Sequence, residues 1–253
     1  MKRHEIRFTL KMKSRKYTST ATYSGSNLHG KVAHELGRRV VSGVYPAGAL
    51  LPNEEQLCAE LQVSRTPLRE SVKVLAAKGL LESRPRIGTR VRSKELWNLL
   101  DPDILAWRCA TGPDAEFLRH LTELREIIEP AAASLAANSR TEEQLAMIKS
   151  ALQAMNDAEN IAQWVEADLA FHTAILKATN NPLLMPLAAI IGSALESLLG
   201  VSARSAGDFK RGLQDHQKVF DAIQNGDASN AVHRMAGMLS DTRALMRRSD
   251  FRP

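Results

Sequence analysis

The sequence predicts a mainly α-helical chain in two parts: a small head with one β-hairpin, then a larger antiparallel bundle of six to seven helices. Three observations carry this prediction. Apolar residues recur at helical spacing through most of the chain, as in Leu121, Leu124 and Ile128, or Leu187, Ile191, Leu195 and Leu198. That spacing gives way to a strand–turn–strand pattern between Leu80 and Arg92, around Pro85 and Gly88. The charge also divides. Residues 1–27 hold seven Lys/Arg and one Glu, residues 28–93 eleven basic and six acidic, and residues 94–253 sixteen basic and twenty-one acidic.

The 253 residues suffice for two ordinary domains, and 44% hydrophobic with only 5% aromatic content fits a Leu/Ala-rich helical chain. No apolar run reaches the roughly 18 residues of a membrane span, and the N-terminus has no signal-peptide apolar core. A membrane partner is therefore not expected. Cys58 and Cys109 form no CxxC pair, so a reduced, cytoplasmic protein is the simplest expectation. A positive N-terminal half on a mildly negative remainder suits a polyanion binder joined to something else.

Taken in order, residues 1–27 lack periodicity and read as a flexible basic arm. Leu28–Ser42 carries the stripe Val32, Leu36, Val40 and Val41 and reads as a first helix. Gly43–Gly48 breaks it, and Ala49–Pro52 is short and extended. Asn53 with Gln56 forms a capping box for a second helix, whose inner face is Leu57, Cys58 and Leu61. After the turn Gln62-Val63, Ser64 is an N-cap type, and Pro67 falls at the third helical position, where its missing N–H costs nothing. Arg65, Thr66 and Arg69 then stand near the start of a third helix that stops at Gly79, while Leu68, Val72 and Leu75 turn inward. A short helix, a tight turn and a donor-rich second helix describe a helix-turn-helix, whose Arg can pair bidentately with guanine in the major groove. The hairpin that follows carries Arg84, Arg86 and Arg90; Gly88 allows close backbone approach, and Arg86 suits a minor groove.

Residues 28–93 resemble the winged helix of GntR-superfamily bacterial transcription regulators. The matching pattern is Gly43-x-Tyr45-x-x-Gly48-x-x-Leu51-Pro52-x-Glu54-x-x-Leu57, Val63-Ser64-Arg65-x-Pro67-Leu68-Arg69-Glu70, Leu75-x-x-x-Gly79-Leu80 and Gly88-x-x-Val91. The resemblance implies contacts to double-stranded operator DNA from Ser64, Arg65, Thr66, Arg69, Arg86 and Gly88. It also implies a homodimer on a pseudo-palindrome. Where this family often has Arg, the chain has Glu55, so a contact made there in relatives is not expected here.

Residues 94–112 form a linker in which Trp97 and Trp107, ten apart, are expected to pack the two parts together. This stretch is similar to the linker of galactonate-operon repressors of the FadR-like group. Residues 113–250 read as helices, with caps at Asp114, Thr141 and Asp227, a kink at Pro130, a helix starting at Asn181-Pro182, a loop over Gly200–Asp208 and a helix from Phe209.

Asp168 and His172, four apart, share one helix face, and His216 lies on another helix. Carboxylate and imidazole from facing helices can build a metal site; an ordinary helix-surface hydrogen bond is the plainer reading of the i,i+4 pair. The region resembles the FCD domain of FadR-like regulators, which implies an effector-binding and dimerisation domain holding a divalent metal such as zinc. The implied ligands are Asp168, His172 and His216, with a fourth at the position of Met238, a soft thioether poor for such ions. His233, five residues earlier, is about 140° round the helix. Either three protein ligands hold a metal, or Asp168, His172 and His216 hydrogen-bond the effector directly. Arg125 forms a salt bridge to Glu129 or, as the resemblance implies, pairs with an effector carboxylate.

The sequence thus points to a DNA-binding regulator, a repressor released by a small organic acid, with a sugar acid such as a hexonate implied by the linker resemblance. The competing class is a helical metal-dependent enzyme using Asp168, His172 and His216. It lacks HExxH, phosphate-loop or nucleophile motifs and leaves the winged helix unexplained.

Overall fold

The computed structural model describes residues 27–112, 114–202, 210 and 212–248. The basic arm before Asn27, and most of the stretch from 203 to 211, lie outside them.

Helix α1 (Leu28–Val41) starts at Asn27, whose side chain accepts the Gly30 N–H at 2.8 Å. Helix α2 (Glu54–Leu61) has the expected reciprocal capping box between Asn53 and Gln56. Gln62 takes a left-handed φ of 54° at the turn into α3 (Arg65–Ala77). Ser64 has the extended backbone of an N-cap, but its hydroxyl makes no capping bond, contrary to the role its residue type suggested. At the far end, Gly79 has a φ of 81°, and the Leu80 and Gly79 N–H groups donate to the Leu75 and Ala76 carbonyls, each at 3.0 Å. Paired bonds of this kind close a helix C-terminus. A Cβ on Gly79 would also lie 2.3 Å from the Leu96 carbonyl oxygen, so only glycine fits.

Strands β1 (Leu81–Arg84) and β2 (Gly88–Val91) pair antiparallel from Leu81↔Val91 to Arg84↔Gly88. The extended segment before α2 joins the other edge of β2, with Leu51 N–H donating to the Thr89 carbonyl at 2.8 Å. Val32, Leu36, Leu57, Leu68, Leu75, Leu80 and Val91 form one buried cluster beneath this winged helix-turn-helix.

The linker is more ordered than a tether. After a 3-10 turn, Asp101 caps helix α4 (Pro102–Ala110). Trp97, Ile104 and Trp107 belong to the head's core, while Leu105 packs with Phe117, Leu121, Ile190 and Ala194 of the bundle. The tryptophans therefore complete the head, and it is the whole helix α4, through Leu105 on its other face, that touches both parts.

The bundle comprises α5 (Ala115–Ser139), α6 (Glu142–Asp157), α7 (Ile161–Ala178), α8 (Ala188–Ser202), α9 (Leu213–Gln224) and α10 (Ala228–Arg248). Ala132, Ala133, Ala136 and Ala137 of α5 meet Phe171 and Ile175 of α7, Val219 and Phe220 of α9, and Met235 and Leu239 of α10 in one core. Three boundaries differ from expectation. The segment from Asn181 first makes a 3-10 turn (Pro182–Leu187), because Pro186 supplies no N–H for an α-helical ladder and its ring crowds the carbonyl four residues earlier. Helix α8 continues past Gly200 to Ser202, and α9 begins at Leu213 rather than at 209. Helix α5 runs on through Pro130 as one continuous helix. No described helix is long and apolar enough to cross a membrane.

Candidate functional site

Two groups of polar residues stand out, one on the head and one inside the bundle. On the head, Ser64, Arg65, Thr66 and Arg69 are all exposed at the start of α3. The fold holds them there because Leu68, Ser71 and Leu75 take the inward face. Ser71 anchors that face by donating to the His29 carbonyl at 2.8 Å. Arg86 lies exposed in the hairpin turn with a left-handed φ of 65°, next to Gly88 at 109°. Arg65 and Arg86 have no ion-pair partner among the described residues. Arg69 does: its Nε donates to Glu54 Oε1 at 2.8 Å, and its terminal nitrogen donates to Glu54 Oε2 at 2.9 Å. Sequence reasoning placed Arg69 and missed Glu54.

Inside the bundle, α7 contributes Asp168 and His172, α9 contributes His216 and α5 contributes Arg125 and Glu129; all five are buried. Asp168 Oδ1 lies 3.2 Å from His172 Nε2 and 2.9 Å from His216 Nε2. The two imidazoles are held from behind. His216 Nδ1 faces the Gly212 carbonyl at 2.7 Å, and His172 Nδ1 lies 2.5 Å from Glu129 Oε2. The latter is a close charged contact between the imidazole and the carboxylate. Glu129 Oε1 accepts from Arg125 Nε, and another Arg125 nitrogen is 3.4 Å from His172 Nε2. The salt bridge to Glu129 therefore exists, and it is part of the cluster rather than of the surface.

Burial disfavours every charge here, yet the opposite charges win. Against that burial, Arg125 and His172 hold the Glu129 carboxyl down at about 2, well below the usual carboxylate range. Burial likewise opposes ionisation of His172, but Glu129 and Asp168 raise it to about 9. Asp168, despite its burial, is lowered by His172 and then His216. Two cations facing two carboxylates leave the cluster close to neutral.

Asp168, His172 and His216 offer ligand atoms that all lie within 4.8 Å of one another. The donor set fits a divalent transition metal, and the outward ring nitrogens face acceptors, as metal-ligating imidazoles usually do. Met238, at the implied fourth position, is buried in the core, and His233 is exposed elsewhere on α10, so neither adds to the three candidate ligands. A groove of about 770 Å³ between α6 and α7 lies elsewhere. Its charged lining is Asp157, Glu159 and Glu166, a poor setting for an acid.

A winged helix-turn-helix joined through a shared helix to a bundle with a buried Asp/His/Arg cluster defines a ligand-governed DNA-binding protein. Comparison with known proteins gives the family. Residues 28–91 match the profile of the bacterial regulatory proteins of the gntR family, and residues 120–241 match the FCD domain. The galactonate operon transcriptional repressor of Escherichia coli is 34% identical over 87% of this chain and 97% of its own length. YieP, an uncharacterized HTH-type transcriptional regulator of the same organism, is 34% identical over 84% of this chain and 93% of its own length. LutR of Bacillus subtilis is 29% identical over 82% and 95%. Among solved structures, Lar, which controls expression of the Listeria monocytogenes agr system, superposes with a TM-score of 0.63 at 19% identity, covering 88% of this chain and 97% of its own, and so shares the fold. The chain belongs to the GntR family of bacterial transcription regulators and carries an FCD domain. It binds DNA through its head and a small-molecule effector through its bundle, and it is a regulator rather than an enzyme.

Proposed function

We propose that this protein is a cytoplasmic homodimeric repressor released from its operator by a small organic acid. The best-supported class is a sugar acid such as a hexonate. The observation that carries the reading is the buried cluster: one guanidinium, two imidazoles and two carboxylates converge where an apolar core is expected. Ionisable groups perturbed this strongly by burial and by one another gather at functional sites. Asp168, His172 and His216 would hold a divalent metal such as zinc. Added to this nearly neutral cluster with release of the His172 proton, a divalent cation would leave a net positive site suited to a carboxylate. Arg125 provides a second, bidentate anchor for the acid. On the DNA side, Ser64, Arg65, Thr66 and Arg69 enter the major groove, and Arg86 and Gly88 approach the adjoining minor groove. The similarity to the galactonate operon repressor supports both the repressor role and the sugar-acid class.

Thermal-shift measurements on the full chain, with aldonic, uronic and dicarboxylic acids, before and after treatment with a chelator, test this. A sugar acid should raise Tm by several degrees, and the chelator should abolish that shift. Stabilisation by long acyl-CoA alone would overturn the acid class, and a shift untouched by complete metal removal would overturn the metal.

A further inference from the structure

We propose that Glu54 is a positioning residue for DNA reading, gripping one edge of the Arg69 guanidinium so that its other edge faces a base. This rests on the reading of Arg69 as a base contact. The guanidinium has five N–H groups in a planar fork. Glu54 takes the Nε edge and one terminal nitrogen, at 2.8 and 2.9 Å. The two N–H groups of the other terminal nitrogen, and the outer N–H of the shared one, make no hydrogen bond among the described residues. Those are the groups that an end-on approach to guanine O6 and N7 requires.

The placement argues against a merely structural role. Helix α2 is already capped by Asn53 and Gln56, so Glu54 is not needed for that purpose. Side-chain exposures of 62% for Arg69 and 47% for Glu54 place the pair on the surface, where ion pairs contribute little to stability. What the pair does fix is a long side chain that otherwise samples many rotamers before it meets DNA. The pair bridges α2 and α3, so it also sets the direction in which Arg69 leaves its helix. Arg69, and more distantly Arg65, lower the Glu54 carboxyl below the usual carboxylate range, so it stays ionised beside them.

A carboxylate on a DNA-binding face repels phosphates. The proposal therefore predicts opposite signs for two observables: Glu54 raises discrimination between bases and lowers affinity for DNA in general.

The test uses the full chain and a pool of duplexes randomised over a central window, bound by wild type, Glu54→Gln, Glu55→Gln, Arg69→Ala and the Glu54→Gln/Arg69→Ala double variant. Gln replaces one of the two acceptors with a donor and removes the charge. Arg69→Ala should cut discrimination at one base pair of the enriched motif by on the order of tenfold or more. Glu54→Gln should cut it at that same base pair by about threefold to tenfold, with equal or tighter binding of the unselected pool. Glu55→Gln, which removes the same charge one residue along, should keep the preference. In the Arg69→Ala background, Glu54→Gln should add no further loss. The proposal is overturned if Glu54→Gln keeps wild-type discrimination, tightens all sequences equally, or loses as much without Arg69 as with it. Preserved preferences in Arg69→Ala would instead remove the underlying reading of Arg69, and the proposal with it.

Discussion

Glu129 shows what one residue decides in this bundle. It is 2% exposed and faces Arg125 and His172 at once. Truncating one member of a buried charge set leaves its partners uncompensated, which costs far more than an exposed pair is worth. Glu129→Ala should therefore destabilise the protein by about 3–5 kcal/mol, read as a fall in the urea midpoint. A change within 1 kcal/mol would mean that water already compensates Arg125 there. The position was legible and the consequence was not. Leu118, Leu121, Thr122, Arg125 and Glu129 recur at helical spacing and all are buried, so the face could be read from the sequence. An Arg and a Glu four apart, however, look the same on paper whether they are solvated or enclosed. Met238 and His233 are the reverse case. Their angular separation on one helix was enough to send one inward and the other outward.

At the scale of elements, local chemistry wrote most of the fold. Asn53 with Gln56, Thr141 with Gln144, and Gly79 placed their helix ends because capping depends on a few neighbouring atoms. The 3-10 turn before α8 was harder to read, since two prolines four residues apart can either start a helix or interrupt one. Least legible was α4, whose role depends on partners far away in sequence. At its N-terminus, Lys78 from the end of α3 lies 2.7 Å from a carboxylate oxygen of both Asp101 and Asp103. Asp103 is 1% exposed, whereas Lys78 and Asp101 keep side-chain exposures of 12% and 15%. Partial contact with water reduces the cost of losing the cation, so Lys78→Met should cost about 1–3 kcal/mol. The loss should shrink in a variant that also carries Asp103→Asn, and denaturant titration of the double cycle measures that coupling. Strict additivity would show that Lys78 is not coupled to Asp103 and would leave Asp101 as its working partner.

Across the whole molecule, α4 packs against both the head that carries the exposed start of α3 and the bundle that holds the buried cluster. Its Trp107 fits against Gly37 of α1, where an added Cβ would come within 2.2 Å of the indole ring. The Trp107 indole N–H also donates to His34 Nδ1 at 2.9 Å. Any change in how α4 seats on α8 must therefore shift Trp107 against α1 or carry α1 along with it. An effector alters DNA affinity only through such a difference between two states, and the linkage is reciprocal. With a duplex enriched from the random pool and the acid giving the largest thermal shift, the acid should weaken DNA binding by about 5- to 150-fold. DNA should weaken acid binding by the same factor. Gly37→Ala forces Trp107 out of its notch at a packing cost of about 1–3 kcal/mol, and should bring that factor toward unity while each ligand still binds alone. His34→Ala, which removes only the indole's acceptor, keeps the test available if the glycine variant fails to fold. Titrations of each ligand in the presence and absence of the other decide the matter. A factor unchanged in both variants would mean that coupling bypasses Trp107, and would turn attention to the Lys78 carboxylate bridge between the end of α3 and the start of α4.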